Sequence, residues 1–148
     1  MEWGDILKNS AGLYHPISAV HDGFFYKIVF EDDDGENMGD DLIMHLKYRN
    51  WQENENFSTK LYEVHLGINP KLQGMGNAEK MIVGAVIDKN EVLSPVPLYI
   101  NYYRVLNPRV MSVVEKLKNN SMIETREVEI KGEPAGLLMS TNYEAMGE

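Results

Sequence analysis

The sequence contains no cysteine. It therefore offers no disulfide framework, no thiolate nucleophile and no cysteine metal site, an absence that fits a cytoplasmic protein. No apolar run approaches the ~18 residues needed to cross a bilayer, so no membrane partner is expected. The opening stretch MEWGDILKNSAG has an acid at Glu2 and no basic segment ahead of an apolar one; it does not read as a secretion signal. Basic residues are few: 14 Lys and Arg stand against 23 Asp and Glu, a formal net charge of −9. That balance argues against a nucleic-acid partner, which calls for clustered Lys and Arg. It suits a cationic or amine-bearing one, although a solvated acidic surface is the commoner cause of such a charge.

What remains is a globular composition, 43% hydrophobic over 148 residues, enough for one domain with a core of its own. No repeat or low-complexity linker divides the chain, so residues 1–148 read as a single domain in which 1–23 are poorly defined. Asp5 to Lys8 suit a short helix that Gly12 and Pro16 break up. FFYKIVFE, Phe24 to Glu31, is rich in aromatic and β-branched residues and reads as a strand. DLIMHLKYRNW, Asp41 to Trp51, alternates as a second strand, and KLYEVHLGI, Lys60 to Ile68, is a third. Between the last two, QENENFS reads as a polar loop. The three strands suit an antiparallel meander.

After Gln73 the period changes. Ala78, Met81, Ile82, Ala85 and Val86 recur on one helical face. VPLYINYY, Val96 to Tyr103, is again a strand. Asn107-Pro108 looks like an N-cap followed by proline at the first helical position. Val110, Val113, Val114 and Leu117 then form an apolar stripe, and Asn119-Asn120 suits a terminator. ETREVEI and GLLMSTNY flank KGEPA as a hairpin. The order predicts an α+β (mixed α/β) fold with a largely antiparallel sheet and flanking helices.

The stretch with chemical content is LGINPKLQGMGNA, Leu66 to Ala78, where a strand gives way to a helix through two glycines. A helix start leaves N–H groups without intrahelical partners and carries partial positive charge. It forms an anion site that needs no cationic side chain, and glycines let the backbone approach a phosphate. The stretch is not a P-loop, because no Lys-Ser or Lys-Thr follows the glycines, and not a dinucleotide fingerprint, because the third glycine is missing. A plain structural turn is the competing reading.

Gln73, Gly76 and Ala78, after a strand ending LGINP and before an amphipathic helix, resemble the acyl-CoA motif of the GNAT N-acyltransferase superfamily. LNPRVMSVVEKL, Leu106 to Leu117, is similar to that family's second signature, in which an Asn opens the next helix. The resemblance implies a GNAT-like fold with a splayed cofactor cleft and a single acyltransferase domain. It implies acetyl-CoA (CoA) held by the backbone of Leu66, Gly67 and Ile68 along the pantetheine arm. Amides of Gln73, Gly74, Met75, Gly76, Asn77 and Ala78 would take the pyrophosphate, with Asn107 beside the arm or thioester. The implied reaction moves an acetyl group from acetyl-CoA to a primary amine on a protein, peptide or small molecule.

The chain departs from the family where a tyrosine often stands seven residues after the Asn: that position is Val114. Tyr102 and Tyr103 lie nearby, and Tyr103 is the candidate acid. Spacing from Gln73 puts Tyr62 at the usual position of the base, with Glu63 next to it and His65 two residues beyond Glu63; Glu63 is the candidate base, and a strand bulge would decide which side chain faces the cleft. A solvent-facing side of the strand explains Glu63 and His65 equally well. The short N-terminal segment leaves the acceptor wall open, altered, or completed by a second subunit in a homodimer. A catalytically silent GNAT-like domain that binds a protein, and an α+β interaction protein without cofactor, are the rival readings. EDDDGEN, Glu31 to Asn37, fails calcium-loop spacing and reads as a hairpin turn. His15, His21, His45 and His65 show no paired helical spacing, so no metal is expected.

Overall fold

Alternating apolar residues drive seven of the described segments into strands. The computed structural model describes residues 12–23, 25–54, 57–74, 76–88, 92, 97–104 and 108–141. The helix expected at Asp5 to Lys8, the strand ends at Phe24 and Val96, and the candidate residues Met75 and Asn107 lie outside them. The strands are β1 (His15–Asp22), β2 (Phe25–Glu31), β3 (Leu42–Asn54), β4 (Phe57–Ile68), β5 (Leu98–Asn101), β6 (Ile123–Ile130) and β7 (Glu133–Thr141). Among the described residues two α-helices, α1 (Asn77–Val86) and α2 (Pro108–Lys118), interrupt them. The sheet order is β1-β2-β3-β4-β5-β7-β6. Every pairing is antiparallel except that of β4 with β5. This is the α+β, largely antiparallel arrangement the sequence predicts.

Three elements differ from expectation. β1 occupies part of the segment that showed no clear pattern. Its Pro16 sits where the register with β2 shifts, and β1 is an edge strand. An edge and an irregularity are where a sheet accepts proline. The described residues of the polar stretch QENENFS are strand and not loop: Gln52 pairs with Ser58 and Asn54 with Phe57, through backbone bonds that do not depend on apolar side chains. β5 is shorter than Val96 to Tyr103, because a 3-10 turn takes over at Tyr102–Arg104.

Alternation gives the sheet two faces. One carries the main core, in which Ile28, Phe30, Met44, Leu46, Leu98 and Leu137 meet Met81, Ile82 and Ala85 of α1 and Val114 and Leu117 of α2. The other carries a small cluster of Leu61, Tyr99, Val128 and Leu138. Gly84 lets α1 lie close to the chain entering β1: a Cβ there would collide with the Tyr14 carbonyl. Tyr14 N–H donates to the Lys80 carbonyl at 3.4 Å across the same contact. α2 ends at Lys118, and the Asn119 side chain donates to the Glu115 carbonyl at 2.9 Å, satisfying an orphan acceptor of the last turn. The β6–β7 hairpin turns on Lys131 and Gly132, both in the left-handed region, as a two-residue hairpin demands.

Candidate active site

The site begins where β4 and β5 meet. Their parallel pairing consists of Tyr62 with Leu98 and Glu63 with Tyr99. β4 then runs five residues further, to Ile68, paired on its other edge with β3 through Leu42, Ile43 and Met44. The candidate arm-binding residues Leu66, Gly67 and Ile68 thus lie past the last β4–β5 pair, on a strand braced from one side. Leu66 and Ile68 are half-buried against the main core, and Gly67 is exposed.

The loop after β4 is shaped by its own polar side chains. The Asn69 side chain accepts from Lys71 N–H at 3.0 Å and donates to Asp41 at 2.9 Å. Pro70–Leu72 forms a 3-10 turn. Gln73 Nε2 donates to the Ile68 carbonyl at 2.9 Å, closing the loop on itself. Asn77, only 5% exposed, donates to the Leu72 carbonyl at 2.7 Å and accepts from Tyr14 Oη at 2.9 Å. Burial first, and then the charge of Asp32, push the Tyr14 phenol up from its ordinary value, so it remains a donor. Gln73 and Asn77, named as cofactor-contacting candidates, therefore work as braces through their side chains. The Gln73 backbone N–H also closes the 3-10 turn, donating to the Pro70 carbonyl at 3.4 Å.

Gly74 and Gly76 both have φ near +76°, a left-handed conformation that costs an L-residue roughly 1–2 kcal/mol. Gly76 is the N-cap of α1 and supplies no side-chain cap. A Cβ on either glycine would meet nothing within 4 Å, so the loop face is open space. Ala78 follows, half-buried, in the first helical turn. An open, glycine-lined surface at a helix start without a side-chain cap has the form that receives an anionic phosphate group.

On the smaller face of the sheet, Glu63 is fully buried and its Oε2 lies 2.7 Å from Arg49 Nε. His65 Nε2 is 3.8 Å from the same oxygen, and its side chain is 38% exposed. β4 pairs continuously with β3 from Ile68 to Ser58, so no bulge intervenes. Tyr62 and Val64 face the main core, while Glu63 and His65 share the opposite face. Glu63 is thus not solvent-facing. Arg49 escaped the sequence reading, because only the β3–β4 register brings it to Glu63.

Three tyrosines stand around β5. Tyr99 is 2% exposed, and its hydroxyl donates to the Ala135 carbonyl at 3.3 Å. Its ring occupies the space a Cβ of Gly136 would need. Burial, followed by the charge of Glu63, raises its phenol. Tyr102 donates to Glu127 Oε2 at 3.0 Å; burial and that bond hold its phenol far above the usual range. Tyr103 differs, with 64% exposure and a backbone N–H bound to the Asn101 side chain at 3.0 Å. It lies close enough to Tyr99 to raise that phenol further. Val114 is fully buried in the core, so α2 presents no proton donor there.

The acidic turn after β2 is organised by Asp32, whose Oδ1 accepts from the N–H groups of Asp34 and Glu36, each at 2.9 Å. Among the described residues no group of three metal-ligating side chains converges, and no helix is long and apolar enough to cross a membrane.

No family model matches the chain and no curated protein matches it. Among solved structures it is similar to a chimera of spermidine N-acetyltransferase SpeG from Vibrio cholerae and hSSAT. Identity there is 17%, the TM-score is 0.47, and the match covers 86% of this chain and 72% of that one. It is similar also to spermidine/spermine N-acetyltransferase SpeG from Vibrio cholerae in complex with manganese ions, at 20% identity and a TM-score of 0.46 over 86% and 72% of the two chains. The KacTA–DNA complex matches at 13% identity and a TM-score of 0.43, over 85% and 73%.

Proposed function

We propose that the protein is an N-acetyltransferase that moves an acetyl group from acetyl-CoA to a primary amine. The observation that carries this reading is the parting of β4 from β5 immediately past Glu63 and Tyr99. The opened strand runs directly into the Gly74–Gly76 loop and the start of α1. A slot between strands suits an extended amide-bearing arm, and a glycine-lined helix start suits its pyrophosphate. Gln73, Gly76 and Ala78 keep the spacing of the acyl-CoA motif across that junction.

Bound there, acetyl-CoA supplies an activated acyl group, and the chain's residues position and deprotonate the amine. Leu66, Gly67 and Ile68 offer backbone groups to the arm. Amides from Gln73 to Ala78 take the pyrophosphate. Glu63, the candidate base, lies buried at the junction with Arg49 against its carboxylate. Tyr103, exposed in the 3-10 turn that follows β5, is the candidate phenol for protonating the departing thiolate. The net charge of −9 draws cationic acceptors toward the surface. A lysine side chain, a peptide N-terminus and a polyamine all meet that description, in the cytoplasm where acetyl-CoA is available.

The test is a thiol-release assay with acetyl-CoA and a panel of primary amines, run beside Tyr103→Phe and Gly76→Glu. Amine-dependent CoA release, lost in Gly76→Glu, supports the reading. The rival is a catalytically silent GNAT-like domain that binds a protein, and acetyl-CoA binding with no release for any amine would overturn the acetyltransferase reading and turn the search to a protein partner.

A further inference from the structure

Glu63, the carboxylate nearest the strand junction, is unsuited to meet an amine directly. It is 0% exposed, and Arg49 holds its Oε2 at 2.7 Å. Arginine stays charged at any pH a protein tolerates. Its guanidinium thus occupies the carboxylate oxygen that an amine would have to reach. His65 has the complementary properties. It stands two residues along the same face of β4, with 38% of its side chain exposed and Nε2 3.8 Å from the same Glu63 oxygen. It also lies beyond the last β4–β5 pair, on the stretch that flanks the opened slot.

We propose that His65 is the proton acceptor of the site, that Glu63 is the positioning residue whose charge stabilises its imidazolium, and that Arg49 fixes the Glu63 carboxylate in place. The step balances simply. The acceptor's ammonium gives one proton to the neutral imidazole and keeps the electron pair, becoming a neutral amine able to attack a carbonyl carbon. The imidazolium returns the proton to solvent through its exposed edge. Imidazole suits this work near neutral pH, and a carboxylate at ion-pair distance favours its charged form.

The groups facing His65 can be named from both neighbouring strands. His45, its register partner on β3, and Lys47, the partner of Glu63, alternate onto the same face with Arg49. Tyr99 of β5 stands opposite Glu63. Lys47 and Arg49 oppose the imidazolium, and Glu63 favours it. Removing Glu63's charge should therefore expose the full effect of the cations.

The assignment deepens the acetyltransferase reading and rests on it for the reaction. The experiment is an NMR titration of the His65 ring in wild type and in Glu63→Gln, paired with pH profiles of kcat/KM for amine acetylation. The titration midpoint of His65 should fall by about one pH unit in Glu63→Gln, and the acid limb of kcat/KM should fall with it. Glu63→Asp should restore most of both. His65→Gln should lose roughly 100-fold or more in kcat while binding acetyl-CoA as wild type does. An unmoved midpoint, or full activity in His65→Gln, overturns the inference. If Glu63→Gln does not fold with Arg49 left unpaired, the Arg49→Met/Glu63→Gln double variant removes both charges. The limb must then disappear or move for the inference to stand. Wild-type protein that neither binds acetyl-CoA nor turns over would overturn the reaction itself, and His65's role with it. Binding and turnover with His65→Gln intact would overturn His65's role alone.

Discussion

Tyr14 and Asn77, 63 residues apart, share a 2.9 Å hydrogen bond that ties the segment entering β1 to the first residue of α1. Asn77 is 5% exposed, so this bond and its 2.7 Å bond to the Leu72 carbonyl set where the helix begins. Tyr14→Phe leaves Asn77 Oδ1 without that donor in a buried position, at a cost of about 1–3 kcal/mol. Urea denaturation should show that loss, and acetyl-CoA affinity should weaken with it. Unchanged affinity would mean that the loop holds its shape without the brace.

Gly76 has φ +76° and open space where a Cβ would stand. Gly76→Ala should therefore suffer only the backbone penalty of about 1–2 kcal/mol, lowering Tm by several degrees. Gly76→Glu adds a carboxylate where the phosphate is expected. Its thermal stability should match that of the alanine variant while acetyl-CoA binding is lost. Equal binding by both variants would place the anion elsewhere.

Glu127 receives Lys118 Nζ at 2.7 Å and the Tyr102 hydroxyl at 3.0 Å. The lysine and then the tyrosine hold its carboxyl below the ordinary value. A lowered folded-state pKa gives stability that is present above the unfolded value and is lost as pH falls through the folded one. Lys118 is shifted up by the same partner, so its share is present at lower pH and is lost as pH rises past its ordinary value. The trio stabilises the fold between roughly pH 5 and pH 10. Glu127→Gln should flatten both limbs of a stability–pH curve. An unchanged acid limb would show that the ion pair is solvated away.

Tyr103 is the exposed phenol in the 3-10 turn that follows β5. Tyr103→Phe should lower kcat by roughly 100-fold or more and leave acetyl-CoA affinity and Tm unchanged. Tyr102→Phe should do the reverse. It loses the bond to Glu127 and some stability, and keeps turnover. A result with the two tyrosines exchanged would move the acid to Tyr102.

The helices and most strands were readable because their periods are clean. Met81, Ile82 and Ala85 repeat on one helical face and are buried, and Val114 and Leu117 do the same in α2. β1 was not readable, since its strand character comes from pairing with β2 and its proline is accommodated at a register shift. The far ends of β3 and β4 failed for a related reason: polar residues such as Gln52 and Ser58 pair through backbone and leave no apolar signal. In the site, spacing alone located the Gly74–Gly76 loop, because backbone geometry there demands glycine. It missed what Gln73 and Asn77 do with their side chains, and it missed Arg49, which approaches Glu63 only through the strand register. Long-range partners of this kind are set by topology, which one sequence does not display.

Calorimetric titration of the folded protein with acetyl-CoA, with free CoA and ATP as controls, tests the central claim most directly. Micromolar binding of acetyl-CoA, about −8 kcal/mol, retained in part by CoA and not matched by ATP, is the predicted result. A folded sample that gives no binding heat with either thioester or CoA at several temperatures would contradict it and reduce the Gln73–Ala78 loop to a structural turn.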